Sequence, residues 1–392
     1  MLASTTVSLL LPEMVDEIKF SKQVVSSDAF KYHFKFWHLM GVYPVEYCPL
    51  LYVLVLILCV SLPISLAIFL FHVDGIKNIL NNLSVNVTLI VCILKFINIF
   101  IRRKEILEFN VWINQLDARA ESIQERNYLA SAIHQAHRIF YIFCVLFSAV
   151  LAFGELSALF SERRRLMYPA WYPFDWQNST LLYTVTHVHQ FVVILVNVYQ
   201  NVANDTFPTL HMLVLTSHVK TLNTRVRKVG ANSTKSGNES IQDLIQCIKD
   251  RQMLVLYLRT VQKLTSAGIF IQFFATGVEA CIPAVCVFFV EGNFFELTYL
   301  GVYFTGVTSE IFFYCYYGNE LIYESQSMTN AIYSCDWTNR DEKFKKILLI
   351  FMQSTQTTMS IKAGGYVAVS LTTFVTVMKS SYSLFALLIR VT

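Results

Sequence analysis

Seven runs of about 20 or more mostly apolar residues divide this chain, and they constrain its fold more than any other feature. The first, Cys48 to Val73, contains no Asp, Glu, Lys or Arg at all. A helix crossing the hydrocarbon core of a bilayer needs about 20 such residues. The others are Asn82 to Ile101, Ile139 to Phe160, Leu182 to Val202, Thr265 to Val290 and Phe295 to Gly318, with a less regular seventh from Ile361 to Leu388. Each crossing must be helical, because lipid offers the backbone no hydrogen-bond partner. The expected fold is therefore an all-α polytopic membrane protein with seven transmembrane helices. The composition agrees: 55% of the residues are apolar and 15% charged, where a soluble domain carries about a quarter charged. That balance excludes a disordered, collagen-like or disulfide-stapled chain and argues against a soluble enzyme. A net charge of +4 is no nucleic-acid footprint.

Lys and Arg set the orientation. Four precede the first run, six lie between Arg102 and Arg138, nine between Lys220 and Lys263, and four between Arg340 and Lys346. These segments share one side of the membrane and hold 23, against five on the other side: Lys77, Arg163, Arg164, Arg165 and Arg390. Positive residues stay in the cytoplasm. The N-terminus is thus expected inside and, after seven crossings, the C-terminus outside. No secretory leader is evident in residues 1–47, a segment read as cytoplasmic, and residues 48–392 form the membrane unit.

The inverted orientation argues against a G-protein-coupled receptor, which stands as the least favoured alternative. The third run opens His137-Arg138-Ile139-Phe140 without an acidic-Arg-aromatic motif, the seventh has no Pro, and the long outer loop at 161–181 has no Cys. A transporter would show broken-helix pairs and internal symmetry, and neither is visible. No zincin, Gly-x-Ser-x-Gly or phosphate-loop pattern points to an enzyme. The nine cysteines lack paired metal spacing and read as small apolar residues among packed helices, so neither a metal site nor a cofactor is expected.

Several helices outlast the bilayer. Helix-compatible residues run from Leu182 to Val229 and from Ile241 to Glu291, separated by a small polar hinge, 230–240. With 320–358, the 207–263 region is read as a cytoplasmic anchor where subunits meet. On the other side, Tyr168-Pro-Ala-Trp-Tyr-Pro-Phe-Asp-Trp176 is the densest aromatic-proline run. It suits either an interfacial aromatic belt or a lid over a cavity. Asn178 begins a glycosylation sequon in that loop. The topology expects sugar there and none at Asn232 or Asn238 in the hinge, while the sequons at Asn82 and Asn86 lie too near the membrane.

Two further segments are more specific. Gly318-Asn-Glu-Leu-Ile-Tyr-Glu-Ser-Gln-Ser-Met-Thr-Asn-Ala-Ile-Tyr-Ser-Cys-Asp-Trp337 resembles the Gly-x-Glu-Leu … Glu-Ser … Ala-x-Tyr … Trp pattern of insect odorant receptors. Val377-Met-Lys-Ser-Ser-Tyr-Ser-Leu-Phe-Ala-Leu-Leu388 is similar to their terminal Lys-Thr-Ser-Tyr-Ser-x-Phe-x-Leu-Leu signature, with Ser380 where Thr is common. The outer aromatic loop also resembles that family, and the three motifs stand in family order. The long insertion between the fourth and fifth runs that marks the family's shared co-receptor is missing, which suggests an odorant-tuned subunit. The related gustatory receptors usually end in a Thr-Tyr … Gln-Phe pattern, absent here; a gustatory-type channel is nevertheless the closest alternative.

The resemblance implies a ligand-gated, non-selective cation channel in the plasma membrane. Four subunits, this chain and co-receptors, would surround one pore for monovalent cations, with divalent cations as further candidates. The last helix, 360–389, would line the pore. By carry-over from the Ser-Tyr motif, Phe385, Leu388 and Ile389 align with the gate, and Ser381 and Tyr382 would supply polar wall; apolar rings gate by dewetting. The family's odorants, small volatiles, bind in the outer half of the subunit. The residues matching that region are Val87, Ile90, Leu151, Gly154, Ser157, His187, Phe191, Ile194, Tyr299 and Tyr303, a mostly apolar set with few polar groups. His187 and His189, two apart, point to different faces. Glu155, Glu279 and Glu310 within the runs are costly unless paired or watered, and are secondary candidates.

Overall fold

The structure is a computed structural model that describes residues 24–42, 49–72, 76–161, 164–231, 236–289 and 294–391. The sequon at Asn232 lies outside the described residues. After a 3-10 turn at Ser26–Phe30, the helices are α1 (Lys31–Leu39), α2 (Pro49–Phe69), α3 (Ile76–Ile101), α4 (Arg103–Asp117), α5 (Ile123–Leu159) and α6 (Thr180–Arg227). They continue as α7 (Gly237–Glu279), α8 (Cys281–Cys286), α9 (Phe294–Tyr333), α10 (Glu342–Ser354) and α11 (Leu371–Val391). A small antiparallel hairpin, β1 (Lys362–Ala363) and β2 (Val367–Ala368), precedes α11. The all-α membrane architecture is borne out. Six of these helices, α2, α3, α5, α6, α7 with α8, and α11, are long and apolar enough to cross a membrane. The expected crossing at Phe295–Gly318 lies within the 40-residue α9, whose tyrosines and threonines dilute its apolar character.

The long helices start where sequence supplies caps. The Ser122 hydroxyl accepts from the Glu125 amide at the head of α5. Ser236 and Glu239 form a reciprocal capping box at the head of α7, and Asp341 caps α10. Each satisfies amides that no helical carbonyl can reach.

α6 is the axis of the bundle. It packs on α2, α3, α5, α7 and α9, and every residue from Gln200 to Leu215 is buried. That stretch is unusually polar, and its groups are met by partners on neighbouring helices. Tyr257 hydrogen-bonds His211 Nδ1 at 2.8 Å, and Thr206 lies 2.8 Å from His33 Nε2 of α1. Lys95 of α3 bonds both Asp205 and Gln272, Tyr314 donates to Asp205 at 2.7 Å, and Asn201 donates to Glu310 at 2.6 Å. Charges this deep persist only when paired and hydrogen-bonded, so Glu310 belongs to a structural network at the bundle axis.

The hairpin corrects one expectation. A single helix over 360–389 is replaced by β1, a turn through Gly364 and Gly365, both at positive φ, and a helix that begins at Leu371. Side chains of α7 hold the hairpin: Gln262 accepts from the Lys362 amide at 2.6 Å and Ser266 donates to the Lys362 carbonyl at 2.8 Å. Gly318 of α9 lets the segment leading into α11 pass close, since a Cβ there would sit 2.3 Å from the Val369 carbonyl oxygen. The eight described cysteines are free thiols.

Candidate ligand cavity and the last helix

Under the aromatic loop lies a cavity of about 410 Å³. Its roof is residues 164–170, Trp176 and Gln177 of the loop, and its walls are Ser84 of α3, Ser157 of α5, Ile282 and Pro283 of α8, and Tyr299, Leu300 and Tyr303 of α9. The volume and the mixed, mainly apolar lining are those of a small-molecule site.

The roof is fastened to three helices. The Trp171 amide donates to the Ser65 carbonyl at 3.1 Å. Asn82 donates to the Leu66 carbonyl at 3.1 Å and the Pro169 carbonyl at 2.8 Å. Gln190 both accepts from the Tyr168 amide at 3.2 Å and donates to the Tyr168 carbonyl at 3.0 Å. Tyr172 meets His189 Nδ1 at 3.1 Å. Prolines at 169 and 173 fix the backbone between these ties. The loop divides its aromatic residues: Trp171 and Phe174 are exposed, while Tyr168 is buried over the cavity with its phenol pushed up to about 12 by burial. Asn82 is fully buried in these bonds, which leaves no room for sugar. Asn178 is exposed, and its amide donates to Asp175 at 2.6 Å. That bond and the Asn178 backbone hold the Asp175 carboxyl below the usual range.

Of the residues expected from sequence, Ser157, Tyr299 and Tyr303 line the cavity. Leu151 and Ile194 are buried in an adjoining cluster with Leu62, Leu66, Val85, Leu89 and Tyr168, against which Phe191 and Tyr299 pack. Gly154 sits behind the wall, where a Cβ would come 2.8 Å from the Met167 methyl. His187 is paired with Glu155 and does not line the cavity, whereas His189 bonds Ser61 at 3.0 Å; the two histidines do face different ways. Val87 is half-buried and Ile90 is exposed on the outer side of α3. In their place α3 offers Ser84 and Thr88. Ser84 donates to the Tyr303 hydroxyl at 3.0 Å, Thr88 lies 2.9 Å from it, and Thr88 donates to Glu279 at 2.7 Å. Arg165, Met167 and Tyr168 were not among the expected contacts. Their signal was position, in the one loop that carries both the arginines and the aromatic run.

The cavity adjoins the last helix. Ile282 is a cavity wall and also belongs, with Cys281, Val285, Cys286 and Leu300, to the cluster against which Leu384, Phe385 and Leu388 pack. Phe385 further meets the Phe288 ring at 6.4 Å between centroids. Of the expected gate residues, Ser381 is buried, Phe385 and Leu388 are half-buried against α8, and Tyr382 and Ile389 are exposed. The outward face of α11 is a stripe at alternating spacings of four and three: Thr376, Ser380, Ser383, Leu387 and Arg390, all exposed.

Comparison with known proteins gives consistent matches along nearly the whole chain. The family model described as 7tm Odorant receptor matches residues 75–382. Odorant receptor 2a of Drosophila melanogaster is 31% identical over 379 residues, covering 92% of this chain and 96% of that one. Odorant receptor 33b of the same species is 30% identical over 368 residues, with 92% and 96% covered. In three dimensions the chain is similar to the insect olfactory receptor OR5 from Machilis hrabei, with a TM-score of 0.73, 16% identity, and 88% and 89% of the two chains covered. For the complex of that receptor with eugenol the TM-score is 0.77, at 14% identity and 88% and 90% coverage.

Proposed function

The chain belongs to the insect odorant receptor family, and from that premise we propose that it is the odorant-binding subunit of a heteromeric, ligand-gated, non-selective cation channel of the plasma membrane. A small volatile bound in the outer half of the bundle opens it. The observation that carries this reading is the cavity under the fastened loop, whose wall residue Ile282 lies in the same cluster as Phe385 and Leu388 of α11. The complex of the structurally similar OR5 with eugenol also supports a small volatile as the ligand.

In this reading the N-terminus is cytoplasmic, the C-terminus is outside, and residues 207–263 and 320–358 form the anchor through which this chain joins co-receptor subunits in a heterotetramer. α11 lines the pore. Its packed face, with Phe385 and Leu388, receives movement from α8. Its exposed stripe faces the ion path, where Leu387 is the one large apolar side chain and therefore the best placed to form a dewetted constriction. α11 contains no Asp or Glu, so discrimination among monovalent cations is weak, and carboxylates at the cytoplasmic base attract the ions.

A ligand opens the channel only by binding the open state more tightly than the closed one. Filling the cavity pushes on Tyr303 and Ile282 together, and both lead to the α7–α8 junction that α11 rests on. Voltage clamp of cells expressing this chain with and without a co-receptor, against a volatile panel, tests the reading. Volatile-evoked cation currents that require both chains are expected. Currents that appear with this chain alone point to a gustatory-type channel, and the absence of any evoked current overturns the proposal.

A further inference from the structure

Two hydrogen-bond donors at the cavity lining have no acceptor among the described residues. The hydroxyls of Tyr168 and Tyr299 lie 3.1 Å apart. Each carries one hydrogen, and a bond between them uses one of the two. No described residue accepts the other. Tyr303 differs: it accepts from Ser84 and has the Thr88 hydroxyl 2.9 Å away to take its hydrogen, the Thr88 hydrogen having the Glu279 carboxyl and the Ser84 carbonyl within reach. The second surplus donor is Arg165. One of its terminal nitrogens donates to the Ser157 carbonyl, while its Nε–H is buried with no partner. Arg164 of the roof already donates to Thr180 at 3.2 Å, and Glu296 at the wall already has a partner of its own.

We propose that this cavity selects volatiles bearing an sp² oxygen acceptor, a ketone, aldehyde or ester carbonyl, over hydrocarbons of the same shape. The inference rests on the odorant-receptor reading above. A carbonyl oxygen has two lone pairs and no hydrogen to donate, so it accepts from a surplus donor. A hydrocarbon displaces water from them and offers nothing back, which leaves buried donors unmet. The apolar remainder of the ligand packs on Leu166, Ile282 and Leu300, where chain length is read loosely and the oxygen is read closely, as expected when a site is built to hydrogen-bond one group. A carboxylate presents the same oxygen chemistry, with Arg165 as its counter-charge.

The test uses the full-length chain co-expressed with a co-receptor and two volatile series matched in heavy-atom number, methyl ketones and n-alkanes of six to ten carbons, with sodium hexanoate as the anionic probe. Ketones are expected to act at lower concentrations than their matched alkanes. In the double variant Tyr168→Phe/Tyr299→Phe, and separately in Arg165→Met, the half-maximal concentration for ketones rises about 2- to 10-fold relative to that for the matched alkanes, whose own value falls because no buried donor is left unmet. Tyr299→Phe alone shifts the ratio less, since Tyr168 keeps a hydrogen to donate. Surface labelling of each variant at the parent's level is the check that it is folded. A stronger response to hexanoate than to 2-heptanone assigns the acceptor preference to the anion. Equal potency of ketones and alkanes, or equal shifts for both in the variants, overturns the acceptor preference and leaves the receptor reading standing. Silence toward every volatile overturns both.

Discussion

The Thr88 hydroxyl donates to the Glu279 carboxylate at 2.7 Å, and through it the cavity wall is bonded to the last residue of α7. Beyond Glu279 the chain passes directly into α8, which carries Ile282 and supports Phe385 and Leu388. Tyr303 and Ser84 complete the same hydrogen-bonded group. Thr88→Val keeps the shape and deletes the hydroxyl, so Glu279 loses its donor and Tyr303 its acceptor. Leaving buried polar groups unmet costs about 1–3 kcal/mol. The expected outcome is a lower melting temperature of the detergent-solubilised protein and a reduced maximal evoked current, with Thr88→Ser close to the parent. A Thr88→Val dose–response curve superimposable on the parent's would remove this link between cavity and α8.

Gly318→Ala tests how α11 is seated. A methyl there meets the Val369 carbonyl oxygen at 2.3 Å and a Val369 methyl at 2.9 Å. The first is backbone and cannot rotate away, so the strand entering α11 must shift. Overpacking of this kind costs about 1–3 kcal/mol. Reduced yield and a lower melting temperature are expected for Gly318→Ala. Gly301→Ala, where a methyl meets nothing within 4 Å, is expected to behave as the parent.

The long apolar helices were legible because lipid thickness sets helix length and favours a backbone bonded within its own segment. The cavity's α9 residues were legible for a similar reason, since Tyr299 and Tyr303 stand one turn apart in the outer half of a long helix. On α3 the logic of soluble proteins misled. Val87 and Ile90 were expected inward, but a membrane helix turns apolar residues to lipid and polar ones to its neighbours. Leu83, Ile90 and Leu94 are exposed, while Ser84, Asn86 and Lys95 are buried. A stripe of small polar residues at 84 and 88, continuing to Lys95, was the available signal. The hairpin had its own signal in the pair Gly364-Gly365, overridden by the apolar content around it. Arg165 was not legible as a cavity donor, because its place depends on how the loop folds back over three helices far from it in sequence.

Two buried groups outside the membrane give opposite pH dependences. Burial, aided by the nearby His137, lowers the His33 pKa from 6.5 to about 3. Folding therefore binds fewer protons below pH 6.5, and the stability that neutral His33 contributes is lost as pH falls from 6.5 toward 3. Burial raises the Asp117 pKa from 3.8 to about 6, against the lowering effect of the Ser26 hydroxyl and amide, each 2.6 Å from the carboxyl. Its contribution is full below 3.8 and lost as pH rises through 6. Each slope is at most about 1.4 kcal/mol per pH unit. Melting temperatures measured from pH 5 to 7 should show His33→Asn relieving the acid-side loss and Asp117→Asn relieving the loss on rising pH. Parallel profiles for the parent and both variants would mean that neither group titrates as described.

Sugar on Asn178 follows from the proposed orientation and from its exposure beside Asp175. Treatment with an endoglycosidase is expected to increase the mobility of the parent but not of Asn178→Gln, and Asn238→Gln should leave the glycosylated band in place. Sugar at Asn238 would put the 230–240 hinge outside the cell and reverse the orientation.

The two faces of α11 make the sharpest prediction about gating. Ser383 and Leu387 stand on its exposed stripe, while Leu388, one residue on, packs against Cys281, Ile282 and Val285. If the stripe faces the ion path, a thiol at 383 or 387 is reached from water when the channel opens, and a thiol at 388 is not. With co-receptor present, Ser383→Cys and Leu387→Cys should therefore lose current irreversibly to a charged methanethiosulfonate reagent, faster with a volatile than without, and Leu388→Cys should resist it. Phe385→Ala acts differently. It empties the contact with Phe288 and the α8 cluster, a loss of about 3–5 kcal/mol for a fully buried ring and less for this half-buried one. It should change the balance of spontaneous to evoked current while leaving single-channel conductance alone. Labelling of Leu388→Cys at the rate of Leu387→Cys would show that α11 is rotated in the assembled channel, with the Phe385 face toward the pore.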